Sequence, residues 1–264
     1  MKALRRLGVL VVLLTFLLSS YACSTEMSGN GANSDIKNEE SGSSVGSSVS
    51  HETEQQQLIY ILPAPATDSD TSVETALVNR RSHRDFQEKA ITMEQLSQIL
   101  WAAYGVTLPR PYESNLRGGL RTAPSAGALY PLEVYAIVGN VEGIEPGVYR
   151  YISGEHKIEM VVSGDIRNEL MEAAMNQRMV AVAPASLFYS AVPERTTGRY
   201  GERGNSYIYI EVGHSAQNVY LQAEALGLGT CAIGAFSDSA VRELLNLPSN
   251  EEPLYLMPFG YVSG

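Results

Sequence analysis

The 264-residue sequence has only two cysteines, Cys23 and Cys231. That excludes the disulfide framework that staples many exported domains. The four histidines are scattered without ligand spacing, so no zinc-type site is expected. Positive charge is short as well: 19 Lys and Arg against 29 Asp and Glu leave a net charge of −10. This balance argues against nucleic acid as a partner and against an electrostatic hold on anionic lipid. No Gly-x-Gly-x-x-Gly follows a strand-like segment. Gly227-Leu-Gly229 closes a helical pattern instead of opening one, the wrong context for a dinucleotide fold. The apolar run at 7–18 has signal-peptide length and is too short for a comfortable membrane span.

That run follows Lys2, Arg5 and Arg6, a basic leader, and precedes Ser19-Ser-Tyr-Ala-Cys23. Residues 1–22 therefore read as a signal peptide, and Ala22-Cys23 as a lipoprotein processing site with Cys23 lipidated. Ser20 stands where such sites usually carry Leu. An ordinary secretory signal cut near Ala22, or an uncleaved anchor, are the alternatives; all three put the body of the protein outside the cytoplasm. Loss of three positive and no negative residues takes the charge from −10 to −13. Residues 23–57, rich in Ser, Gly, Asn and Glu, cannot bury enough to offset ordering entropy and read as a disordered tether. Residues 58–264 suffice for one domain with a core of its own.

In that domain, Thr71-Ser-Val-Glu74 and Thr92-Met-Glu-Gln95 read as capping boxes, the second opening a helix with Met93, Leu96, Leu100 and Ala103 on one face. Strands are expected at 132–138, 147–152, 158–162, 185–192, 231–235 and 254–261. Asp165 is expected to cap a helix reaching about 177. Further helices are expected at 206–226, with Gly227 as its stop, and at 238–245. Strands and helices mix without βαβ alternation, so the class is α+β, helices around one sheet. The 206–226 helix is too apolar for one buried face. It is either a central helix of a monomer or part of a subunit interface.

Three segments carry the chemistry. Arg80, Ser82 and Arg84 alternate, so on an extended segment they share a side, and two guanidiniums with a hydroxyl suit a phosphate. The plainer alternative is a solvated basic turn. Pro124, Ser125, Ala126 and Gly127 form a small-residue loop that lets backbone approach a flat ligand. Gly229-Thr-Cys-Ala-Ile-Gly234 follows the long helix. A fourth stretch, 195–203, is polar and Gly-rich and reads as a lid or active-site loop holding Arg199 and Tyr200. His214 reads as a satisfied core residue, and Cys231 as a buried small side chain.

In this order the first three segments resemble the flavin-binding nitroreductase family, most of all its SagB-type dehydrogenase branch with the azoline oxidases, over about residues 58–262. The resemblance implies a nitroreductase-like fold with a central mixed or antiparallel sheet, an intertwined homodimer, and FMN. It implies that Arg80, Ser82 and Arg84 hold the FMN phosphate. Pro124, Ser125, Ala126 and Gly127 would lie along the isoalloxazine, often from the second subunit, with Ile233 and Gly234 on its other side. Family members often add a basic phosphate contact after the last strand; here nothing basic follows Arg242. Arg199-Tyr200 is similar to the Lys-Tyr pair of azoline oxidases, but Arg effectively cannot give up its proton. Tyr200 is thus the better acid–base candidate, with Arg199 orienting substrate or stabilising charge. The implied function is oxidation of a small molecule or a peptide heterocycle by an exported FMN enzyme. The alternatives are an NAD(P)H-dependent nitro or quinone reductase, and a flavin-binding lipoprotein without turnover. Membrane contact would come only through the lipid on Cys23.

Overall fold

The computed structural model describes residues 58–110 and 118–263. The signal peptide, Cys23 and the tether expected at 23–57 lie outside the described residues. A seven-stranded sheet organises the domain, with every strand pair antiparallel. In chain order its strands are β1 (Ile59–Ile61), β4 (Leu132–Val138), β5 (Gly147–Ile152), β6 (Lys157–Ser163), β7 (Ala185–Ala191), β8 (Gly229–Thr230) and β9 (Glu252–Gly260). They lie side by side as β1-β6-β5-β4-β7-β9-β8. β2 (Val106–Pro109) and β3 (Gly119–Arg121) form a separate two-stranded sheet.

Period-two alternation splits the side chains of the central strands between two cores. Val134, Ala136, Leu187 and Tyr189 enter one, beside α2 (Met93–Tyr104) and α6 (Arg203–Ala225). Tyr135, Ile137 and Phe188 enter the other, against α3 (Arg167–Ala173), α4 (Met179–Val182) and α7 (Asp238–Leu244). Helices therefore cover both faces, which is why all of β4 and β7 is buried.

The α2 cap is as read: Gln95 N donates to Thr92 Oγ1 at 3.2 Å and Thr92 N to Gln95 Oε1 at 3.0 Å. The cap of α1 (Val73–Asn79) is Ser72, one residue later than expected, because its hydroxyl is the one that takes Thr75 N, at 3.1 Å. Asp165 lies before the cap position of α3 and instead accepts Arg167 N and grips its guanidinium. The expected strand at 231–235 does not form: the strand here is Gly229–Thr230, just before it, and within 231–235 only Ile233 bridges, to Leu256, while Ala232 N donates to the Tyr220 hydroxyl. The expected loop at 195–203 is mostly helix: α5 (Glu194–Tyr200) starts after Pro193 and stops at Gly201, φ 58°. Buried Thr196 and the Arg195–Glu133 ion pair anchor it, and this packing outweighs the Gly-rich composition. α6 opens at Arg203, three residues early, and Gly227, φ 67°, ends it as read.

Candidate functional site

The extended segment after α1 joins the edge of the large sheet. Ser82 bridges Thr230 in parallel, and His83 N donates to Thr230 O at 3.0 Å. This sets the Arg80–Ser82 stretch beside Gly229–Gly234, so two of the three sequence segments meet. Tyr220 of α6 organises the junction. Its hydroxyl accepts Ala232 N at 2.8 Å and shares a 3.0 Å hydrogen bond with Ser82 Oγ, while the Arg80 guanidinium lies 5.2 Å from its ring centre. Arg84 departs from this group and lines a cavity of about 410 Å³ with Arg178 and Ser263. It also reaches toward Cys231, whose thiol burial pushes up and Arg84 partly pulls back down. Cys231 is 1% exposed, in keeping with a packing residue.

Neither Arg80 nor Arg84 has a carboxylate within ion-pair distance among the described residues. In a chain of net charge −10, the Arg80 guanidinium beside the Ser82 hydroxyl suits an anionic group, whereas Arg84 faces a separate cavity and does not share that side as the alternation implied. The residues therefore fit a phosphate.

The 124–127 loop builds a second cluster. Ala126–Ala128 makes one turn of 3-10 helix with Gly127 at φ 62°, and Ser125 Oγ accepts Tyr130 N at 2.9 Å. A Cβ on Gly127 would sit 2.7 Å from the Tyr200 hydroxyl and 3.2 Å from Arg199 Nη1. Both the positive φ and this approach favour glycine. The Arg199-Tyr200 pair thus meets the loop, although it comes from a helix and not from a lid. The Tyr200 ring packs edge-on against Tyr207 at 5.2 Å, with the Arg199 guanidinium 5.4 Å from its centre.

The two clusters lie along different stretches of α6. Glu211 sits by Ser125 and Tyr220 by Ser82, nine residues and about 14 Å of helix apart. Glu211 is 2% exposed. Its Oε1 accepts the Tyr104 hydroxyl at 2.5 Å, while its Oε2 is buried without a hydrogen bond. Burial pushes its pKa up to about 7 against the opposing pull of the Ser125 and Tyr104 hydroxyls and of Arg121. Sequence reading passed over Glu211 and Tyr220, though a lone acid between Ile210 and Val212 was a usable signal. His214 corrects the sequence reading: in the single chain it is exposed on α6, outside the core. Among the described residues no group of three or more His, Cys, Asp or Glu could hold a metal ion.

The site thus combines a phosphate-sized basic corner and a tyrosine-lined glycine loop on a helix-covered antiparallel sheet. The family of the chain follows from comparison. A model of the nitroreductase family matches residues 77–261, and the chain belongs to that family. A nitroreductase-type protein of Methanocaldococcus jannaschii is 47% identical over 191 residues, covering 72% of this chain and 91% of the relative. The microcin B17-processing protein of Escherichia coli is 29% identical over 150 residues, 54% of this chain and 55% of that protein. A nitroreductase-type crystal structure from Ralstonia eutropha superposes with a TM-score of 0.65 at 29% identity, over 78% of this chain and 90% of the other.

Proposed function

We propose that the protein is an FMN-dependent oxidoreductase that works outside the cytoplasm on a small molecule or a peptide heterocycle. The observation that carries this reading is the junction of Arg80 and Ser82 with Gly229–Gly234, held by Tyr220 and left without a carboxylate partner. Bound FMN would accept and pass on electrons; the protein supplies position and electrostatics. Arg80 and Ser82 hold the phosphate, with Arg84 and Arg178 as further cations on the far side of the segment. Gly127 lets the 124–127 loop approach closely, and the Tyr200 hydroxyl takes or returns the proton of the substrate. Arg199 stabilises charge, since a guanidinium is a poor base. The likeness to a microcin-processing protein supports a peptide substrate. Arg199, standing where azoline oxidases carry Lys, favours a second reading, a nitro or quinone reductase fed by a nicotinamide donor.

Removing one charge-assisted phosphate contact costs about 1.5 to 3 kcal/mol, on the order of tenfold to a hundredfold in affinity. Arg80→Ala is expected to lose FMN by that factor while riboflavin, which has no phosphate, binds as before. Equal loss of both would assign Arg80 to the fold. Turnover with azoline peptides, quinones and nitroaromatics separates the readings, and flavin binding without any turnover would mark a carrier.

Export and anchoring belong to the same proposal. A diacyl chain on Cys23 would hold the protein by about 0.8 kcal/mol per buried methylene. A fatty-acid analogue is expected to label the protein and not Cys23→Ala. Unlabelled protein in the medium would leave the plain secretory reading.

A further inference from the structure

A basic cavity lies between the β2–β3 hairpin and the paired strands β4 and β5, in a chain that is acidic as a whole. Its volume is about 250 Å³, and Arg110, Arg121, Arg150 and Arg195 line it together with Glu133 and Glu155. Four arginines and two glutamates line it, in a chain of net charge −10, and Arg121 also faces the Glu211 carboxyl.

Both carboxylates are already engaged. Glu133 accepts Arg195 Nη2 at 2.6 Å and Arg150 Nη2 and Nε at 2.9 and 3.2 Å. Burial raises the pKa of Glu133, but the two arginines outweigh it and hold the carboxyl below its ordinary value. One negative charge is thus shared by two cations. Glu155 is paired with Lys157 at 2.8 Å. A guanidinium carries five N–H donors. Among the described residues Arg150 Nη1 has no hydrogen-bond partner and Arg110 no ion pair. The Arg121 guanidinium stacks 4.3 Å from the Tyr104 ring centre and 4.9 Å from that of Tyr130. A partly enclosed space with surplus forked donors and tyrosine walls matches the planar geometry of an oxyanion.

We propose that this cavity binds a small oxyanion, carboxylate or phosphate, apart from the Arg80 cradle. Arg195 ties the cavity to the candidate site. It opens α5, whose other end is Arg199-Tyr200, and its Nη1 donates to Tyr130 O at 3.3 Å, closing the 124–130 loop. An occupant would brace that loop and α5. The cavity stands whether or not the protein takes a flavin.

The test is thermal unfolding and calorimetric titration of the purified protein with inorganic phosphate and with succinate, against sodium chloride at matched ionic strength. Arg80→Ala is the background, so that phosphate cannot report on the Arg80 cradle. Saturable binding beyond the chloride control is expected, weakened about tenfold or more by Arg110→Gln and by Arg150→Gln. Arg110 is exposed, so its variant folds even where Arg150→Gln weakens the Glu133 pairing. Binding of phosphate alone would assign the phosphate class, and binding of succinate alone the carboxylate class. No binding beyond chloride, or unchanged affinity in Arg110→Gln and in a folded Arg150→Gln, would overturn the proposal.

Discussion

The Tyr200 hydroxyl lies against Gly127, and Phe removes that hydroxyl without altering the ring packing on Tyr207. If it moves the substrate proton, Tyr200→Phe slows turnover by about 10² to 10⁴. Flavin content is expected to stay level; unchanged turnover with every active substrate would make α5 a plain structural helix. Glu211 makes a prediction that needs no substrate. Its carboxyl titrates near 7 in the fold against an ordinary 4.5, because burial disfavours the charge. The groups facing it are Tyr104 of α2, Arg121 of β3, and Ser125 and Tyr130 of the loop. Between those pH values the folded chain holds a proton that the unfolded chain has released. Stability present below about pH 4.5 is therefore lost as pH rises toward 7, by on the order of 3 kcal/mol. Glu211→Gln cannot ionise, so its melting temperature is expected to exceed that of the parent at pH 8 while matching it near pH 5. Parallel melting profiles for the two proteins would show that Glu211 does not carry the proton. Arg80, Ser82 and Gly127 were singled out in the sequence by spacing and small size, and Tyr200 by resemblance; their roles remain part of the proposal. Tyr220 was not, because its hydroxyl gains meaning only when α6 lies over the Ser82–Thr230 bridge.

Elements written in local signals were read closely, and those decided by distant packing were not. The α2 cap needs only Thr92 and Gln95, three residues apart, and both bonds form. β4 and β5 keep the expected bounds because each is a β-branched and aromatic run between turn residues. α5 shows the opposite case. Thr196-Thr-Gly-Arg reads as a loop until Arg195 is pinned by Glu133 across the sheet and Tyr130 O. The strand expected at 231–235 fails for a like reason: one tertiary hydrogen bond, from Ala232 N to the Tyr220 hydroxyl, takes that backbone away from the sheet. The candidate site lies where local rules give way, with Gly127 at φ 62° and flanking Ala128 and Tyr130 also at positive φ. Non-glycine residues in that region are sparse and collect at functional loops.

At the scale of the whole molecule the apolar surface needs a cover. Val73, Leu77 and Val78 on α1 are 64, 52 and 71% exposed, and Tyr209 and Ile210 on α6 are 59 and 52% exposed. The two helices pack together. Large apolar side chains exposed on both helices are candidates for an interaction surface. The split site asks for the same partner. Within one chain the Ser125–Gly127–Tyr200 cluster and the Arg80–Ser82–Tyr220 cluster occupy different stretches of α6, which is the separation a site shared between two copies would bridge. A homodimer with composite sites is thus the assembly we propose, in line with the resemblance drawn from the sequence. Stable interfaces bury about 800 Å² per partner. Sedimentation of residues 58–264 is expected to give twice the monomer mass. Leu77→Lys with Ile210→Lys is expected to give a folded monomer that has lost flavin, since a charge on each helix penalises burial while leaving both cores untouched. Arg80→Ala, by contrast, is expected to lose flavin as a dimer. A parent protein that sediments as a monomer and still holds one flavin per chain would place the whole site within a single copy and remove the need for the second.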